Sequence, residues 1–246
     1  MPARLALKTL VGMALITFAA SRVAMAQATN PWTAAAPYPT YIIRYAFAQV
    51  GEDMYVISGK SIVVYQGVNA IVNIMTRYNV TADAWTPLAD IPVGSNAPAG
   101  AYFGGKIYVA DGYLGANLLR IYDIATNTWS AGPARPAVID SFGAAAGAFN
   151  GKVYVVGGGS AGPSSVLSIY DIAGNSWSAG PASPSPYQLG GYAQIGQFLY
   201  LIGSFTSTPT VNTTVSMRLD MATNTWSTGP VWTPARADFG LAAAGT

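Results

Sequence analysis

The chain has 246 residues, 9% of them charged and 51% hydrophobic, with 12 Lys and Arg against 10 Asp and Glu. It contains no histidine and no cysteine. That removes the commonest general base, zinc and thiolate sites, disulfides and a Ser-His-Asp triad.

Residues 1–26 read as a cleavable signal peptide. Arg4 and Lys8 give a basic start, residues 10–20 an apolar run, and Ala24-Met25-Ala26 an A-x-A cleavage site. The run is shorter than the roughly 20 residues a membrane span needs, although an N-terminal anchor is the alternative. Cleavage after Ala26 takes away Arg4, Lys8 and Arg22, so the net charge moves from +2 to −1. The remainder, 27–246, then has no basic cluster of the kind nucleic acid requires. It reads as a secreted or periplasmic chain with no membrane insertion.

From residue 27 onward the sequence repeats itself. It opens on NPWTAAAPYP, with Trp32, a phrase that returns later as NTWSAGPARP. The first full unit, about 45–88, has a strand at 45–50, the apolar run MYVISG with Tyr55, and IMTRYNVTADAW ending on Trp85. The second, 99–132, has Tyr108 in IYVADG and Trp129 in LLRIYDIATNTW. The third, 142–180, has Tyr154 in VYVVGG, the pair Gly157-Gly158, and Trp177 in LSIYDIAGNSW. The fourth, 191–229, has Tyr200 in LYLIGS and Trp226 in SMRLDMATNTW.

The tyrosines fall 53, 46 and 46 residues apart, and the tryptophans from Trp32 onward 53, 44, 48 and 49. Two independent markers on one beat make each unit a four-stranded sheet: a small-residue inner strand, then xYVxGG, xIYDxx and an outer NxW strand. Asp123, Asp171 and Asp220 fall where a short carboxylate can accept from turn amides. No segment keeps helical spacing over 10 to 12 residues, and Pro and Gly clusters punctuate every unit. The expected fold is all-β, a radial array of four-stranded blades.

The period, the Gly157-Gly158 ending and the Tyr-to-Trp interval of 21 to 30 residues resemble kelch repeats. The third unit alone carries the double glycine; the others read Ser58-Gly59, Asp111-Gly112 and Gly203-Ser204. The resemblance implies a β-propeller. It also implies closure by an N-terminal strand, for which Trp32 is the candidate. Function varies widely on this fold. The copper oxidases of the family use His ligands and a Cys–Tyr crosslink, residues this chain lacks.

The ends suggest an incomplete fifth unit, with an outer strand at 27–36 and an inner strand from 238 to 246. A sheet without its middle strands leaves backbone unpaired. The expectation is therefore a chain cut inside a longer propeller, against an arc completed by another chain or a four-bladed ring.

Few residues could carry chemistry. Glu52, the one glutamate, stands beside Asp53 and reads as a turn residue before it reads as half of a glycosidase pair. The repeating Tyr and Trp read as packing between blades. Candidates for a ligand are loop residues that break the repeat: Arg44, Asp111, Tyr113, Arg135, Asp140, Tyr187, Arg236 and Asp238. Tyr38, Tyr41, Tyr65 and Trp232 are further aromatics off the beat. No catalytic residue, metal or cofactor is indicated. The expected function is an exported binding module that recognises a protein or carbohydrate through loops on one face. The alternative is a sugar-processing enzyme resembling kelch-type sialic-acid mutarotases and epimerases.

Overall fold

Small side chains at the start of each unit let four inner strands crowd around one axis. The protein is seen in a computed structural model that describes residues 33–61, 70–115, 117–136, 140–207 and 210–243. The first sheet contains β1 (Ile42–Ile43), β2 (Ala46–Val50), β3 (Asp53–Ser61), β4 (Ile71–Asn79) and β5 (Ala84–Pro87). The second runs β6 (Ala99–Phe103), β7 (Lys106–Ala110), β8 (Leu119–Asp123) and β9 (Thr128–Gly132). The third runs β10 (Ala145–Phe149), β11 (Lys152–Val156), β12 (Leu167–Asp171) and β13 (Ser176–Ala179). The fourth runs β14 (Gly191–Ile195), β15 (Phe198–Ser207), β16 (Thr210–Asp220) and β17 (Thr225–Thr228). All ladders are antiparallel. β2 lies beside β6, β6 beside β10, and β10 beside β14. These are four blades of a β-propeller.

The tyrosine beat builds the seams between blades. Tyr55 meets Tyr122 of the second blade at 6.4 Å between ring centroids, and Tyr108 meets Tyr170 of the third at 6.1 Å. Tyr154 donates to the Met221 carbonyl at 2.6 Å. All three are buried, whereas Tyr200, on the far face of the fourth blade, is only half-buried.

The tryptophans work at the rim. In the first three blades the outer-strand indole packs on the tyrosine of its own third strand, at 4.9 Å for Tyr78–Trp85, 5.1 Å for Tyr122–Trp129 and 5.2 Å for Tyr170–Trp177, while Trp226 stands opposite Leu219. Each Nε1 then donates to a carbonyl of the preceding connection: Trp85 to Ala36, Trp129 to Ala89, Trp177 to Pro133 and Trp226 to Pro181, at 2.8 to 2.9 Å. Ala89, Pro133 and Pro181 each stand four residues after a repeat tryptophan, and Ala36 stands four after Trp32. Trp32 itself, like residues 1–31 and Tyr65, lies outside the described residues.

The third-strand carboxylates hold the turns as their spacing predicts. Asp123 Oδ1 accepts from Ala125 and Thr126, Asp171 Oδ1 from Gly174, and Asp220 Oδ1 from Ala222 and Thr223. Asn79 does the same for Ala82 in the first blade. Lys106 pairs with Asp123 across the ladder, and Lys152 with Asp171 at 3.0 Å.

Several boundaries differ from the sequence expectation. The inner strands begin at Ala46 and Ala145 and not at 45 and 142, because Arg44 (φ 55°) and Gly143 (φ 69°) turn the chain just before them. β1 was not expected; it pairs with the extended end of β3, Ile42 opposite Ser61. The expected inner strand after residue 238 is not a strand over its described part, 239–243. That stretch runs beside β14, where a Cβ on Gly191 would stand 2.5 Å from the Phe239 ring.

Ala36–Thr246 forms one compact unit. Residues 1–35 fall outside it, and those described among them, 33–35, carry no strand.

Candidate functional site

Each connection into an inner strand turns through one left-handed residue, and the chain after the fourth blade does the same at Asp238. Arg44, Ala97, Gly143, Leu189 and Asp238 have φ of 55°, 53°, 69°, 53° and 55°. These corners are joined in series. Ala97 N donates to Arg44 O at 2.8 Å, Gly143 N to Ala97 O at 2.9 Å, Leu189 N to Gly143 O at 2.8 Å, and Asp238 N to Leu189 O at 2.6 Å. The result is a backbone rail around the mouth of the axis. Between its first and last corners the link is a side-chain pair: Arg44 Nη2 and Nε reach the Asp238 carboxylate at 2.8 and 3.1 Å.

A strip of side chains extends from that pair. The Arg44 guanidinium lies 5.6 Å above the Phe142 ring, and Phe142 meets Tyr113 edge-on at 6.4 Å. Tyr113 is held by a backbone bridge to Asn96 and stays 45% exposed; its neighbour Leu114 is 63% exposed. Beneath the pair an axial cavity of about 710 Å³ is lined by Phe47, Ala97, Ala144, Leu189, Tyr192, Phe239 and Leu241, with Arg44 and Asp238 as its charges.

The structure separates the sequence-derived candidates into three groups. Arg44, Tyr113 and Asp238 come together at the mouth, through Phe142. Asp140 stands near this face, with Oδ1 accepting from Phe142 N at 3.0 Å and Ser160 N at 2.9 Å, so its carboxylate holds the backbone. Arg236 is exposed, and its backbone joins Ser204 and Thr213.

Asp111, Arg135 and Tyr187 are not surface groups at all. All three are buried in the seams between blades, where no ligand reaches them as placed. Asp111 pairs with Arg120 at 3.2 Å. Burial pushes its carboxyl up to about 7, with Arg120 pulling the other way. The Arg135 guanidinium donates to Ser168 Oγ, Ser141 Oγ and the Gly157 carbonyl, stitching the second blade to the third. Burial lowers it to about 10. Tyr187 is wholly buried, and its phenol is raised well above 10 by desolvation.

Internal comparison of the units reveals these seam roles. Ile91, Arg135, Ser183 and Trp232 each stand six residues after an outer-strand tryptophan. Their amides make equivalent bonds, to Asn73, Asn117, Ser165 and Thr214 carbonyls. Ile91 and Ser183 are buried as Arg135 is. Trp232, with no described blade beyond it, is 42% exposed. Tyr38 also turns out to be packing, edge-on to Trp85 at 4.7 Å. Phe142 was missed, because an aromatic next to a corner glycine resembles ordinary core sequence.

Residues 141–184 match the family model of the kelch motif. That stretch, the third unit, carries a kelch motif. A curated relative, Kelch-like protein terF of Aspergillus terreus, is 29% identical over 123 residues, or 46% of this chain and 26% of that protein. The chain thus spans about a quarter of that relative's length. A solved structure titled "Structure of YjhT" aligns with a TM-score of 0.64 at 19% identity, covering 81% of this chain and 68% of the other. At that identity the shared ground is the β-propeller fold, and the mouth described above belongs to this chain's own residues.

Proposed function

We propose that this kelch propeller is an exported binding module that holds a protein partner across the mouth of its axis. The observation that carries the reading is the partly exposed strip of Tyr113, Phe142, Arg44 and Asp238 above an axial cavity. Kelch repeats serve widely as protein-interaction scaffolds, and this mouth suits that use. Aromatic and Arg groups bordered by aliphatic surface are the composition of interface anchors.

A carbohydrate fits less well. Sugar hydroxyls need many convergent polar groups, whereas the charges here are already engaged. Asp238 is paired with Arg44, and Asp140 with two amides. The same engagement leaves the sugar-enzyme alternative without a free carboxylate at the mouth. Export rests on the leader-like residues 1–26, and the N-terminal sequence of the protein released by its host tests it: Gln27 is expected.

For binding, immobilised wild type and two variants are exposed to the host's extracellular proteins. Tyr113→Ala should lose the specific partner. Tyr102→Ala, whose exposed ring stands at the opposite end of its blade, should retain it. Equal capture by both variants would remove the mouth from the reading.

A further inference from the structure

The backbone rail around the mouth is made of equivalent links except at one place. Four amide-to-carbonyl bonds of 2.6 to 2.9 Å join Arg44, Ala97, Gly143, Leu189 and Asp238 in series. The span from Asp238 back to Arg44 is bridged by side chains, 194 positions apart in sequence. The two kinds of link differ physically. A backbone link is built into the blade and persists at any ionic strength. The Arg44–Asp238 pair has side chains 30% and 46% exposed, so dissolved ions reach it. At about 1 M salt the screening length falls to about 3 Å, no longer than the contact itself.

What the pair holds is a segment with an asymmetric set of anchors. On the fourth-blade side, Arg236 O accepts from Ser204 N, Arg236 N donates to Thr213 O, and Asp238 N donates to Leu189 O. On the first-blade side, the ion pair is the one polar link among the described residues. The residues that follow, Phe239 to Ala242, line the cavity together with Tyr45 and Phe47 of the first blade. Phe239 leans on Gly191, where any side chain would block it. Arg44 does not depend on Asp238 for its position, because its guanidinium also rests on Phe142.

We propose that Arg44 and Asp238 form a salt-sensitive clasp on the axial cavity. With the clasp shut, residues 239–242 lie against the opening between the fourth and first blades. When it opens, the segment swings about its fourth-blade anchors, the cavity widens toward that opening, and Phe239 and Leu241 become accessible. The device goes beyond the binding role proposed above and does not require it, since it operates in the unliganded protein.

The absence of cysteine makes the test direct. Spin labels at Phe47→Cys on the first blade and Ala242→Cys on the held segment, both lining the cavity, report the distance between them. The expected result is two distance populations, the longer rising about threefold from low to molar salt, the scale of an exposed ion pair. Asp238→Asn in the same background should show the longer population at every salt concentration. The exchanged pair Arg44→Asp with Asp238→Arg should restore the short, salt-sensitive state. Should Asp238→Asn disturb the blades, the wild-type salt series decides alone. A single short distance unaffected by salt overturns the clasp.

Discussion

Trp129 Nε1 donates to the Ala89 carbonyl at 2.8 Å, tying the outer strand of the second blade to the connection that leaves the first. The same bond recurs at Trp85, Trp177 and Trp226, so the tryptophan beat is a set of rivets along the rim. Each indole is half-buried, and Trp129 packs on Tyr122 with its nitrogen pointing to the neighbouring connection. Trp129→Phe keeps most of the packing and removes the bond, so it should cost about 1 kcal/mol. Trp129→Ala should cost about 3 kcal/mol in denaturant unfolding. Equal losses for both would mean the indole nitrogen contributes nothing.

Gly157 and Gly158 look alike in sequence to the turn glycines but do different work. Gly157 has φ 69°, and a Cβ there would stand 2.3 Å from the Tyr187 carbonyl. Gly151 has a similar φ of 72° with open space around it. Gly151→Ala should therefore cost about 1 kcal/mol, the conformational term alone. Gly157→Ala should cost at least about 3 kcal/mol, because backbone must also move. Similar costs at the two sites would contradict the close approach.

Asp111 should make stability depend on pH in an unusual direction. Its carboxyl is raised from 3.8 to about 7 in the folded chain, by burial first and against the pull of Arg120. A raised acid binds its proton more tightly folded than unfolded, so stability falls as pH rises through the window from about 4 to about 7. Asp111→Asn should flatten that slope in thermal unfolding measured across the window. An unchanged slope would show that Asp111 does not titrate there.

The turn carboxylates should act with the opposite sign. Asp123 is held below its usual value by the Lys106 hydrogen bond first and by turn amides next, and Asp171 by the Gly174 amide first and then Lys152. Their contribution is present above 3.8 and is lost as pH falls below it. In acid titrations followed by hydrogen exchange, the hairpins at 123–128 and 171–176 should lose protection together below that point. Persisting protection in Asp123→Ala and Asp171→Ala would refute their role.

The blades were legible in the sequence because they are made by repetition. Tyr55, Tyr108, Tyr154 and Tyr200 occupy one position in a common unit, and a shared position implies a shared environment. The site was legible only in part, for the complementary reason. Residues that break a pattern were read as ligand groups, but a pattern can break inside a seam as easily as on a surface. Asp111 replaces the Ser58 and Gly157 of its neighbours and finds Arg120 across the strand. Arg135 replaces Ile91 and reaches carbonyls of the next blade. The first pairing forms across a hairpin of one blade and the second reaches a separate unit, and neither repeats in the other units. Arg44 and Asp238 meet at the mouth, and their contact depends on how far the corners travel around the axis, which only the assembled blades set.

The most direct test of the binding account is a photo-crosslinking residue placed at Leu114, beside Tyr113 on the mouth and already 63% exposed. A second chain carries the same group at Val80, on the opposite turn of the first blade and 52% exposed. With the captured extracellular partner present, the Leu114 probe should give a discrete crosslinked species and the Val80 probe none. Crosslinking from Val80 with none from Leu114 would contradict a ligand at the mouth.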